Sequence, residues 1–110
     1  MSFFVFPQSW ITPAITAAVI AFGPIDKPDD IKVHYINLPT GYLAAAKPPS
    51  DIAIDKLPKR EWPKWKAQCV IAHEYGHLAG KKHVSKGSSI MRRHLIRKNC
   101  LRFLRRHRLR

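Results

Sequence analysis

No aspartate or glutamate follows Glu74, although residues 81–110 carry 12 lysines and arginines. The first eighty residues hold 8 basic and 7 acidic side chains, so nearly all of the formal charge of +13 belongs to the last thirty. That split reads as an ordinary domain followed by a strongly basic extension. Cysteine is scarce as well. Cys69 and Cys100 are too few for the disulfide scaffold of a small secreted protein. Cys69 sits in an apolar run and reads as a small core residue, with one bridge to Cys100 as the alternative. Long hydrophobic runs are missing. Ile11–Phe22 is mostly apolar but far too short for a bilayer, and Pro13 interrupts it. No basic residue precedes it, as a secretory leader requires. With no export signal visible, the expectation is a protein that is cytoplasmic or released by a non-classical route, with no transmembrane segment. Apolar residues are not lacking: at 45% hydrophobic, the composition excludes disorder as the overall state. A length of 110 residues leaves room for a single domain, small enough that a bound metal would add usefully to its stability.

Along the chain, Thr12-Pro13 reads as a helix start, with Thr as cap and Pro in the first turn. Ile15, Ala18, Val19 and Phe22 then form an amphipathic stripe, which Gly23-Pro24 ends. The polar turn Asp26–Asp30 leads to Ile31, Val33 and Tyr35, which alternate with Lys32 and His34 as a half-buried strand does. Leu43–Ala46 suggests a second short strand, and Lys47-Pro48-Pro49-Ser50 a turn. Asp51–Asp55 alternates cleanly as a third strand. Pro58 and Pro63 bracket a loop, and residues 64–79 read as the main helix, stopped by Gly80. Trp62 and Trp65, at its start, are expected in the core. Ile96, Cys100, Phe103 and Leu104 make the apolar stripe of a last helix, placed at about 92–110, whose other faces are arginine. The expected architecture is α+β: a small mixed β-sheet, one long helix and a basic C-terminal helix.

The chemistry concentrates in His73-Glu74-Tyr75-Gly76-His77-Leu78-Ala79-Gly80-Lys81-Lys82-His83. Residues four apart share a helix face, so His73 and His77 can aim their imidazoles at one point. Zinc takes nitrogen ligands in a tetrahedron. Gly80 lets the chain leave the helix in a left-handed conformation, which allows His83 to return as a third ligand. The fourth position then stays with water, the pattern of a catalytic site, because structural zinc sites are closed by four protein ligands. Glu74 would take the proton from that water as general base. His34, His94 and His107 have no ligand spacing and read as surface residues.

With those residues in place the sequence resembles the metzincin clan of zinc peptidases, whose signature is HExxHxxGxxH followed by a Met-turn. Ser89-Ile90-Met91 is similar to that turn, in which methionine forms an apolar floor beneath the metal without binding it. Asp51-Ile52-Ala53-Ile54 looks like the clan's edge strand, which pairs with an extended substrate. The resemblance is to stripped-down, matrixin-like members. It implies a zincin-like fold with an active-site helix and a C-terminal helix after the Met-turn. It also implies a zinc endopeptidase that cuts a peptide or protein substrate. The segment after the turn, Arg92-Arg93-His94, would border the substrate pocket. Its arginines either enter the pocket or face solvent and leave it to Ile90 and Leu95. Some branches carry a tyrosine at the position of Arg93.

The basic stretch at 92–110 has two readings, a solvated helix face or a patch for an anionic partner such as nucleic acid, anionic lipid or an acidic protein. No nucleic-acid recognition motif is legible, so such binding would be driven by phosphate charge. The expectation is therefore a monomeric zinc endopeptidase. The alternative is a basic polyanion-binding module in which zinc only holds the fold together.

Overall fold

The computed structural model describes residues 5–26, 30–56 and 62–107. Helix α1 (Gln8–Phe22) starts a turn earlier than Thr12-Pro13 suggested, with Pro7 as its cap and Pro13 inside it. Either proline suits a helix start, and burial decides between them. Phe6 and Ile11 are buried, and the Phe6 amide donates to the Tyr35 hydroxyl at 3.0 Å. These contacts draw the chain before Thr12 into the core. Pro13 then costs the helix one backbone donor, and Thr12 has no capping role. Instead its carbonyl accepts a bond from the Thr16 hydroxyl at 3.0 Å.

Three strands follow, β1 (Lys32–Ile36), β2 (Ala44–Lys47) and β3 (Asp51–Asp55). Their spatial order is β1-β3-β2, with β3 parallel to β1 and antiparallel to β2. Register pairs Ile52 with both Val33 and Ala46. Ile52 and Ile54 point into the core, while Asp51, Ala53 and Asp55 are half-buried, as the alternation foretold. The edge-strand expectation fails here. Asp51–Ile54 is the central strand, flanked on both sides, and the edge that borders the histidines is β2. Two fully buried isoleucines suit a central strand, and the small side chains of Ala44–Ala46 suit an edge that must be approached closely.

Helix α2 (Lys64–Leu78) runs between two hydrophobic clusters. On one side Ala67, Val70 and Ile71 meet Phe6, Ile11, Ala14, Ile52 and Ile54. On the other, Cys69, Ala72 and Tyr75 meet Ala17, Ala18, Ile90, Met91, Cys100 and Phe103. Every residue from Cys69 to Gly76 is therefore buried, as in a helix enclosed by neighbours on all sides. Trp62 and Trp65 are half-buried against these clusters, as expected. Helix α3 (Arg97–Arg106) is shorter than the basic stretch. Residues 92–96 form the turn that precedes it, and Arg108–Arg110 lie outside the described residues, as do Pro58 and most of the Asp26–Asp30 turn.

Cys69 and Cys100 are joined in a disulfide, which corrects the reading of Cys69 as an unpaired core residue. Both are fully buried, and the stripe that faces Cys100 inward is the one that docks α3 on α2. The link closes a loop across 31 positions. In the chain-entropy view a loop of that size restrains the unfolded state by about 3–4 kcal/mol. Among the described residues, no helix is long and apolar enough to cross a membrane.

Candidate metal centre

Near its C-terminal end α2 presents His73 and His77, one turn apart, with His73 and Glu74 buried and His77 half-buried. The helix closes as its glycine suggests. Gly80 takes φ +87°, its amide reaches the His77 carbonyl at 3.0 Å, and the Lys81 amide reaches the Gly76 carbonyl at 2.8 Å. This pair of bonds is the Schellman closure. It turns the chain so that exposed His83 comes back over the end of the helix. The turn also orients a ligand, because the Nδ1–H of His77 donates to the Lys81 carbonyl at 2.9 Å.

The Nδ1–H of His73 likewise donates to the Ile90 carbonyl at 2.7 Å. A carbonyl can only accept, so both Nδ1 atoms carry protons, and in each neutral ring Nε2 carries the lone pair. Those lone pairs converge. The Nε2 of His77 is 3.2 Å from that of His73 and 3.1 Å from that of His83. The facing lone pairs of His73 and His77 repel one another unless a proton or a cation lies between them. Ligand nitrogens placed tetrahedrally at about 2.0–2.1 Å from an ion are about 3.3 Å apart, close to the spacing observed. His73, His77 and His83 thus form a group able to hold a metal ion, and among the described residues it is the one such group of three or more. Glu74 lies beside it and is not part of it.

Desolvation dominates the electrostatics. Burial lowers the pKa of His73, and the neighbouring His77 and His83 lower it further, against a smaller opposing effect of the Ile90 bond. At His83, partial desolvation and then the charges of His77, Arg93 and His94 act in the same direction. Lowered imidazole pKa values mean weaker competition by protons for the lone pairs. Metal affinity should therefore be nearly flat above the ordinary imidazole range, near pH 6.5, and fall only below it. Competition against a chromophoric chelator from pH 5 to 8 measures this, and a steep loss already between pH 8 and 7 would contradict it.

Beneath the helix, the segment Ser89–Met91 supports the group. The Met91 amide donates to the Ser89 hydroxyl at 2.9 Å, and the Val84 amide donates to the Met91 carbonyl at 3.0 Å. Met91 is buried with its sulfur against Gly76. A Cβ on Gly76 would come within 2.5 Å of Met91 Sδ and 3.3 Å of the Phe22 ring. The sequence offers no reason for a glycine inside the long helix, whereas the structure gives one, the close approach of a methionine. Gly76→Ala should lower stability by about 1–3 kcal/mol through overpacking, despite alanine's better helix propensity. Denaturant melts check this, and the cost of Gly76→Ala should be smaller in a Met91→Ala background than in the wild type.

The histidines open into a cleft of about 480 Å³. It is also lined by the loop from Gly41, by Ala44–Ala46 of β2, and by Arg93, His94 and Leu95. His94, read as an ordinary surface residue, thus stands beside the site. His34 and His107 do not: one pairs with Asp51 at 3.1 Å, and the other bonds the Phe103 carbonyl at 3.0 Å. The two arginines separate. Arg92 is half-buried, with Nη1 donating to the Gly87 carbonyl at 3.3 Å, while Arg93 lines the cleft. Ile90 is in the core and Leu95 in the cleft. Compared with protein-family models, with characterised proteins and with solved structures, the chain matches none, so the reading of the site rests on its own geometry.

Proposed function

We propose that the protein is a zinc-dependent endopeptidase of metzincin type. The observation that carries this reading is the convergence of three imidazole nitrogens beside a buried carboxyl, at the floor of a cleft bordered by an unpaired sheet edge. His73, His77 and His83 hold the ion. Zinc is the ion that fits three imidazoles with one position left over, and when bound it supplies a Lewis acid that polarises a carbonyl and acidifies water.

The chain's own residues do the rest. Glu74, next in sequence to His73, is within reach of a water at the site and serves as general base. Burial raises its pKa from the ordinary 4.5 to about 7, which suits a carboxylate that must accept a proton and then return it to the leaving amine. β2 is the last strand of the sheet, so its outer backbone groups can take an extended peptide as a further strand. Tyr42 and Leu43, both exposed beside that edge, offer apolar contact for the peptide. The test is direct. The purified protein, loaded with zinc, is incubated with a diverse peptide library, with and without a chelator, and the cuts are mapped by mass spectrometry. Cuts that vanish on chelation and return with zinc are expected. An uncut library at full metal occupancy would end the reading.

A second reading is favoured by one feature, the 12 basic and zero acidic residues after position 80. On α3, Arg97, Lys98, Arg105 and Arg106 are exposed. In that reading the metal only stabilises the fold, and this surface binds a polyanion. Binding to a nucleic-acid duplex should then fall with log salt by about 0.9 per phosphate neutralised, with no peptide turnover.

A further inference from the structure

The cleft holds a guanidinium without a counter-charge. Arg93 is exposed and lines the cleft together with the β2 residues, His94 and Leu95. Glu74 is the one carboxyl that lines this cleft among the described residues, and the proposed reaction occupies it. No acidic residue follows Glu74 in the chain, and no described carboxylate forms an ion pair with Arg93. Arg92, its neighbour, is engaged with the Gly87 carbonyl and lies outside the cleft. Arg93 lines the same cleft as His73, His77 and His83, which puts it beside the histidine group. A strand laid along β2 points its side chains alternately to the two faces of the extended sheet, so one set can enter the cleft that Arg93 lines. A guanidinium waiting there meets a carboxylate with two parallel hydrogen bonds, a geometry that lysine does not offer.

We propose that Arg93 pairs with a carboxylate of the bound peptide, so that the favoured substrates carry an acidic group close to the cleavage point. The inference rests on the hydrolytic reading above and names its substrate class. The carboxylate has two sources, an acidic side chain or the free C-terminus of the peptide, and both present the same chemistry to Arg93.

Two peptide series separate them. The first is amidated at the C-terminus and differs only in Glu against Gln, scanned through every position of one peptide. The second keeps Gln and differs only in a free or amidated C-terminus. Affinity is read by fluorescence anisotropy on the Glu74→Gln protein, which does not consume the peptide, and cleavage rate is read on the wild type. The acidic member of one series should bind about five- to tenfold tighter, a charge-assisted bond discounted for the exposure of Arg93. Arg93→Gln should erase the difference, and Arg93→Glu should transfer it to a lysine peptide. Lys98→Gln, an equal charge change on exposed α3 outside the cleft, should keep it. Equal affinity in both series, or a preference that survives Arg93→Gln, would overturn the inference. Cutting without any acidic preference defeats this inference and leaves the hydrolytic reading standing. A preference lost in Arg93→Gln, with no peptide ever cut, defeats the hydrolytic reading and leaves the pairing.

Discussion

Replacing Glu74 by glutamine is expected to remove most hydrolysis, roughly 10²–10⁴-fold, and to leave metal content unchanged. The three imidazole nitrogens converge without the carboxyl, so its loss takes away the proton acceptor and no ligand. The same substitution has a second signature, in stability. Burial raises the pKa of Glu74 from 4.5 to about 7. A carboxyl raised in this way binds more protons folded than unfolded between those values. The metal-free wild type therefore loses stability as pH rises from about 4.5 to 7. Glutamine has no charge to desolvate, so the variant should be the more stable protein above pH 7, and the two should converge below pH 4.5. Elemental analysis, peptide turnover and denaturant melts at pH 4 and 8 read the three effects. Loss of zinc with activity would make Glu74 structural, and full activity would place the base elsewhere.

His77→Ala should abolish metal binding. Its Nε2 is the middle donor, 3.2 Å and 3.1 Å from the two others, and its removal leaves two nitrogens on opposite sides of the gap. The loss in affinity should exceed the roughly 10–100-fold typical for removing a partner that only orients a ligand. His94→Ala is the contrast. It also stands in the cleft but outside the ligand group, and should keep one metal per chain. Stoichiometry after dialysis against buffered zinc decides, with circular dichroism to establish that the variant is folded. A His77→Ala protein that retains a full equivalent of zinc would end the assignment.

The ligand group was legible because helical spacing and one glycine carry it. His73 and His77 are a turn apart on any helix, and Gly80 permits the left-handed residue that brings back His83. The strands at β1 and β3 were legible through alternation. What failed depended on contacts between distant parts of the chain. Pro7 and Pro13 are equally good helix starts until Phe6 and Ile11 are known to be buried. Strand order is invisible to a period of two, so the edge passed from β3 to β2. The pairing of Cys69 with Cys100 needed the docking of α3 on α2, which an apolar stripe announces without saying where it lands. Gly76 was opaque for the same reason, since its partner Met91 approaches from another segment.

The link between Cys69 and Cys100 brackets the whole apparatus. His73, Glu74, His77, His83, Met91 and Arg93 all lie between the two cysteines, on one covalent ring. Residues 80–88 of that ring are exposed and lie beside the three histidines, the stretch most open to attack by a peptidase. A cut there opens the ring but cannot release a fragment. The clipped molecule keeps its mass, apart from one added water, and travels on a denaturing gel as an intact chain until a thiol is added. Clipping of this segment would therefore be silent on any gel run without reductant.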